Sequence, residues 1–270
     1  MDNATTRERI LAALQSIAPE TDARAIRPDR PLREQIELDS LDWLTLAERV
    51  GEVLGVDLRH VRLGPAATLD DWQRAADRAL DRRAGATAGE ARAGGADGRA
   101  RPLASSVARL VDGRRVRLRP VVAADAPLLA AFVRGLSPES RYRRFMASLR
   151  ELPAAKLKSL TAIDPARHVA LAATPGGRGQ RAWIGVARCV ADAKGEGCEF
   201  ALTVADDWQH TGLAGVLMRA LMAEARARGF RRMQGEVLAV NRPMLALARQ
   251  LGFVPLGPAE AGVLRLGRDL

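Results

Sequence analysis

The sequence predicts an α+β domain built on a central sheet, preceded by a separate small helical bundle. Three observations predict this. Apolar residues recur at helical spacing through the first 82 residues. An Ala-, Gly- and Arg-dense stretch without apolar periodicity follows at 83–106, and from 107 onward strand-like and helix-like runs interleave. Charge divides at the same place: residues 1–82 carry 12 Lys and Arg against 16 Asp and Glu, and the remainder carries 30 against 16. Such asymmetry points to two modules with different partners. A basic module can bind nucleic acid, a phosphate-rich cofactor or an acidic protein surface, although high arginine content can equally reflect genome composition.

Composition narrows the class. The chain has 270 residues, 47% of them hydrophobic but only 4% aromatic, so aliphatic and alanine packing must carry the core. It has no run of eighteen apolar residues to span a membrane. The N-terminus is charged from the start, unlike a signal peptide. Two cysteines, Cys189 and Cys198, do not make a secreted disulfide framework. A soluble cytoplasmic protein is expected.

Element by element, Thr5 to Ile17 places Ile10, Leu11, Leu14 and Ile17 on one helical face. A loop with Pro28 and Pro31 follows, then a helix from about Leu41 to Leu54, stopped by Gly55. Thr68 with Asp70 and Asp71 reads as the capped, acidic start of a third helix. The stretch 83–106 reads as a flexible tether. Asp112-Gly113 between two alternating runs predicts a hairpin. Helices are expected at Ala124–Val133 and Pro138–Leu149, and strands at His168–Thr174, Arg181–Asp192 and Gly197–Val204. A helix at Gly212–Arg228, a strand at Arg232–Val240, a helix at Arg242–Leu251 and final strands within Phe253–Leu266 complete the chain.

The strongest chemical signal is Gln209-x-x-Gly212-x-Ala214, where a strand turns into a long apolar-periodic helix. Small residues there let several backbone N–H groups face one point at a helix N-terminus, a setting that suits pyrophosphate. An ordinary strand-to-helix turn has the same short pattern. Asn241-Arg-Pro-Met244 and Leu251-Gly-Phe253 follow at a distance that makes the combination more specific. Together these residues resemble the GNAT family of N-acetyltransferases over about 107–270. The resemblance implies a mixed, mostly antiparallel sheet flanked by helices. It also implies acetyl-CoA, or another acyl-CoA, lying between splayed strands. Leu202, Thr203 and Val204 would pair with the pantetheine arm, Gln209, His210, Thr211, Gly212, Leu213 and Ala214 would hold the pyrophosphate, and Asn241 would lie beside the arm.

LSPESRYRRFMASL at 136–149, AIDPARHVAL at 162–171 and the strand from Cys198 to Leu202 resemble bacterial protein lysine acetyltransferase domains. In that group a glutamate at the position of Glu199 is the general base. An ammonium must lose a proton before its nitrogen can attack a thioester, and a partly buried carboxylate can take it; a salt-bridged surface glutamate is the plainer alternative. Many family members carry a tyrosine where Ala248 stands, and Tyr142 is the only tyrosine in this chain, so protonation of the leaving thiolate must come from water or elsewhere. His60, His168 and His210 show no metal-ligand spacing, and no metal is expected. Cys189 and Cys198 are expected to pack, possible neighbours on a hairpin.

In the first module, Asp39 and Ser40 lie where a loop enters a helix, and either side chain can simply cap it. The segment Leu38-Asp-Ser-Leu41, followed by Asp42, Glu48 and Glu52, resembles the acyl carrier protein family over about 1–82. The resemblance implies 4′-phosphopantetheine on Ser40, installed by a phosphopantetheinyl transferase, and an acidic helix that docks basic partners. The expected whole is a direct-transfer N-acyltransferase acting on an amine, a protein lysine first and a small-molecule amine second. Its carrier domain acts in cis and docks on the basic transferase, or else regulates it. The alternative is a non-catalytic acyl-CoA sensor or docking protein. Nucleic acid is not an expected partner, because aromatic platforms are lacking.

Overall fold

The computed structural model describes residues 3–18, 21–36, 40–56, 58, 67–85, 103–146, 150–177, 179, 181–192 and 195–270. Leu38, Asp39, His60 and most of the expected tether lie outside them. The chain divides into two compact units, Met1–Asp97 and Gly98–Leu270.

In the first unit, α1 (Asn3–Ile17), α2 (Leu32–Gln35), α3 (Ser40–Leu54) and α4 (Leu69–Gly85) bury Ile10, Leu14, Leu32, Leu46, Val50, Leu54, Leu69 and Trp72 together. Isolated helices of 4 to 17 residues are marginal at best in water, so the shared apolar face supplies most of their stability. Thr68 caps α4 reciprocally. Its hydroxyl accepts the Asp71 N–H at 3.1 Å, while the Asp71 carboxylate accepts the Thr68 N–H at 2.9 Å. That N–H, the Arg74 guanidinium and the Thr68 hydroxyl hold the Asp71 carboxyl below its ordinary 3.8. Gly55 closes α3 at φ 64. Helix α4 runs to Gly85, three residues beyond the expected boundary at 82.

The second unit contains one sheet. Its strands are β1 (Ser106–Arg109), β2 (Arg115–Pro120), β3 (His168–Pro175), β4 (Gly185–Ala191), β5 (Gly197–Val204), β6 (Arg232–Leu238), β7 (Val254–Pro255) and β8 (Val263–Asp269), in spatial order β1-β2-β3-β4-β5-β6-β8-β7. Every pairing is antiparallel except β5 with β6. That parallel pair needs a crossover, which α8 (Leu213–Ala227) provides.

Alternation along the strands sorts side chains onto two faces. Val116, Leu118, Leu171, Ala187, Cys189 and Phe200 pack on Leu213, Leu217, Met218 and Leu221 of α8, with Ala248 of α9 (Arg242–Gln250) in the same core. On the opposite face, Ala170, Ala172 and Val186 meet α5 (Ala126–Gly135), α6 (Pro138–Phe145) and α7 (Ala154–Thr161) through Leu129, Phe132, Phe145 and Leu160. The Arg119 guanidinium grips both Asp125 oxygens at 2.7 Å, pinning the start of α5 to β2.

Some expected bounds shift for physical reasons. Helix α6 stops at Phe145 because Met146 turns left-handed at φ 53. The strand expected from Arg181 begins at Gly185, although Trp183 and Ile184 are buried; the apolar pattern reports burial rather than ladder pairing. Helix α7 was not expected, since only Leu157 and Leu160 mark its inner face.

Candidate active site

The β5–β6 ladder is short. It pairs Gly197 with Arg232, Cys198 with Met233 and Glu199 with Gln234, and then stops, while β5 continues to Val204 and β6 to Leu238. The strands therefore open into a fork, and Glu199 stands on its last rung. From Phe200 to Val204, β5 is bonded to β4 on one side and has no ladder partner on the β6 side. That edge of β5 beyond the ladder can add an extended ligand as it would a strand. At the root of the fork the Phe200 ring lies over Gly235, where a Cβ atom would fall 2.6 Å from Cε1. Phe253 braces that ring edge-on at 5.1 Å.

Glu199 is half-buried and shares the α5–α7 face of the sheet with Val190 and His168, its neighbours in register on β4 and β3. Two residues along β4, Arg188 is buried and donates to the Leu160 carbonyl of α7 at 3.0 Å. The His168 Nε2 is buried and has no hydrogen-bond partner among the described residues. Burial, helped by the Arg188 charge, pushes its pKa down to about 3, so the imidazole is neutral.

At the end of β5 the chain makes a 3-10 turn at Asp206–Trp208 and enters α8. His210 at φ 60 and Gly212 at φ 85 are both left-handed. The Thr211 hydroxyl donates to the Trp208 carbonyl at 2.7 Å and fixes the turn from inside. The hairpin between β1 and β2 supports it from outside: Arg114 lies 4.0 Å over the Trp208 ring, and Val111 lies 3.3 Å from where a Gly212 Cβ would be. Among the described residues, the N–H groups of His210 through Gly215 donate to no backbone carbonyl, and the first intrahelical bond is Val216 to Gly212 at 3.1 Å. Consecutive open amides at the N-terminus of a 15-residue helix make an anion cradle.

The expected donor-site residues thus share one strand–turn–helix. Leu202, Thr203 and Val204 form the open limb and His210 to Ala214 lie in the cradle, whereas the Gln209 N–H is taken up by the Asp206 carbonyl at 3.2 Å. The His210 side chain is exposed. The Gln209 side chain is directed away from the cradle, donating to Ser140 Oγ at 3.0 Å and toward the Val204 carbonyl at 3.4 Å. Asn241 lies just past the other limb and caps α9, accepting the Met244 N–H at 3.3 Å. Ala248 is fully buried.

Cys189 and Cys198 are buried free thiols on the α8 face, diagonal neighbours across β4 and β5. A hydrogen bond between them, then burial, raises the Cys198 pKa far above the ordinary thiol value. Both lie in the core packed on α8. Ser40 opens α3, and its side chain and those of 41–45 lie outside the described residues. Sequence reading missed Arg188, Ser137, Ser140 and Asp206. A charge inside the apolar run of β4 marks the first, and a serine before Pro138 marks an N-cap.

An open strand edge, a fork and an amide cradle suit the amides and pyrophosphate of acetyl-CoA, and known proteins agree. Residues 134–253 match the Acetyltransferase (GNAT) family. An acetyltransferase of Pseudomonas aeruginosa is 39% identical over 148 residues, covering 55% of this chain and 80% of that protein. Acetyltransferase Pat of Mycolicibacterium smegmatis is 35% identical over 138 residues, 51% of this chain but only 40% of that longer protein. The crystal structure of the GNAT domain of S. lividans PAT superposes with a TM-score of 0.57 at 34% identity, over 62% of this chain and 97% of that domain. The fork, its cradle and these relatives together place the chain in the GNAT family of acetyltransferases.

Proposed function

We propose that this acetyltransferase acylates the side-chain amine of a protein lysine by direct attack, with Glu199 as general base. The position of Glu199 on the last rung of the fork carries the reading, since an acyl group entering along β5 stops there. Acetyl-CoA, or a related short acyl-CoA, supplies the activated thioester carbonyl. Glu199 takes a proton from the ammonium, directly or through one water, and frees its lone pair. The β5 amides beyond Glu199 face the developing oxyanion. The cradle at His210–Gly215 anchors the pyrophosphate, so that remote binding fixes the reacting carbon. With Ala248 in place of a tyrosine, coenzyme A leaves as a thiolate and takes its proton from water. The motifs at 136–149 and 162–171 support a protein lysine as acceptor.

The first unit is proposed to carry 4′-phosphopantetheine on Ser40. Its position at the start of the 15-residue α3, where the helix dipole favours a phosphate, supports this. Covalent attachment in cis would raise an arm-bound substrate to roughly millimolar local concentration.

Two measurements test these readings. Release of coenzyme A thiol is followed with acetyl-CoA and lysine-containing proteins: turnover that requires the lysines is expected, and its absence with every amine acceptor overturns the first reading. Intact mass is followed after incubation with a phosphopantetheinyl transferase and coenzyme A. A gain of one arm that Ser40→Ala abolishes is expected, and an unchanged mass overturns the carrier reading.

A further inference from the structure

Asp206 and Gln209, at the start of the turn from β5 into α8, both reach across to α6. Asp206 Oδ2 accepts the Ser137 N–H at 2.8 Å, and its Oδ1 accepts the Ser137 and Ser140 hydroxyls at 2.7 Å each. Ser137 Oγ in turn accepts the Ser140 N–H at 3.1 Å and caps α6. The buried Ser140 hydroxyl closes the ring, donating to Asp206 while accepting from Gln209 at 3.0 Å. Partial burial alone would raise the Asp206 pKa. The Ser137 hydroxyl and N–H, with the Ser140 hydroxyl, outweigh it and hold the carboxyl below its ordinary 3.8. The partners are 66 to 69 residues apart in sequence, so local chain geometry does not account for the ring.

The two ends of this network have different jobs. Asp206 and Gln209 lead into the amide cradle, on the donor side. Helix α6 packs through Phe145 on the sheet face that carries Glu199, on the side from which an amine must approach. We infer that Asp206 is a positioning residue that latches α6 to the donor loop, so that filling the cradle orders the acceptor side as well. A phosphate held by the amides of His210–Gly215 restrains the loop, and three hydrogen bonds to one carboxylate pass that restraint to the first turn of α6. Donor and acceptor binding are thereby coupled, each strengthening the other by the same factor. This inference rests on acetyl-CoA occupying the cradle.

The test is amide hydrogen exchange with and without acetyl-CoA, alongside steady-state kinetics, on the full chain and on Asp206→Ala, Asp206→Asn and Ser140→Ala. In the wild type, acetyl-CoA should slow exchange both at 210–216 and within α6. In Asp206→Ala it should slow the loop but leave α6 unchanged, while KM rises about tenfold for both substrates and kcat changes little, as expected for hydrogen bonds to a charged group. Asp206→Asn keeps an acceptor at Oδ1 and should restore most of the α6 response. Ser140→Ala removes the bridge to Gln209 and should weaken the response in the same direction, and it carries the test if Asp206→Ala does not fold. An α6 response that persists undiminished in the Ala variants overturns the latch, as does slowing confined to the loop in the wild type. A wild-type loop that ignores acetyl-CoA overturns the donor site itself.

Discussion

Glu199 faces Gln234 across the last rung of the parallel ladder between β5 and β6, and beyond that rung the two strands share no further pair. On the proposed reading, one carboxylate therefore stands where an extended donor entering along the edge of β5 would end. General-base catalysis at such a point contributes about 10²- to 10⁴-fold. Glu199→Gln keeps the shape and removes the basicity. Its kcat/KM should fall within that range while acetyl-CoA affinity, followed by calorimetry, stays within about threefold. Full activity in Glu199→Gln would show that another group takes the proton.

The root of the fork is a packing device. A Cβ at Gly235 would fall 2.6 Å from Phe200 Cε1 and 2.8 Å from Cζ, and Phe253 braces the same ring. Gly235→Ala should cost about 1–3 kcal/mol through overpacking, read as a lowered melting temperature. Phe200→Leu in the same chain should recover part of that loss, because the two residues are coupled by contact.

Gly212 is constrained twice. Its φ of 85 suits glycine, and Val111 lies 3.3 Å from a Cβ placed there. Gly212→Ala should cost about 1–2 kcal/mol for the left-handed backbone. It should also turn the first amides of α8 off their common point. Acetyl-CoA KM should rise several-fold with a smaller change in the KM for the amine, measured by initial rates.

His168 gives the fold an acid-sensitive contribution. Its folded pKa of about 3 lies below the ordinary 6.5. Between those values the unfolded chain binds a proton that the folded chain refuses, so stability is full above about pH 6.5 and declines as pH falls toward 3. The contributions of Asp125 and Asp206, whose pKa values lie below 3.8, are lost only in stronger acid. Melting temperature should therefore drop between about pH 7 and about pH 5, and His168→Gln should flatten that drop.

Much of the fold is legible in the sequence where period and punctuation agree. Strand β5 has the expected bounds, Gly197 to Val204, and α8 lies within one residue of its expected ends, because a long apolar stripe runs between two glycines, Gly212 and Gly229. The geometry of the proposed donor site is legible for the same reason: it is made by backbone, and a glycine at a strand-to-helix turn announces backbone geometry. The Asp206 network is not legible, since its partners lie 66 to 69 residues away and Ser, Asp and Gln carry no period. Gln209 shows the limit most clearly. It belongs to the expected motif, yet its side chain holds Ser140 and leaves only the neighbouring peptides for the ligand.

The cradle is written in peptide N–H groups, which all amino acids except proline possess. What the loop demands of its residues is chiefly conformation, the left-handed turns at His210 and Gly212, held by the Thr211 hydroxyl on the Trp208 carbonyl and the Gln209 amide on Ser140. On the proposed reading, a substitution at the exposed His210 that keeps the left-handed turn should leave the donor in place, whereas one at Glu199 should alter what the donor can do.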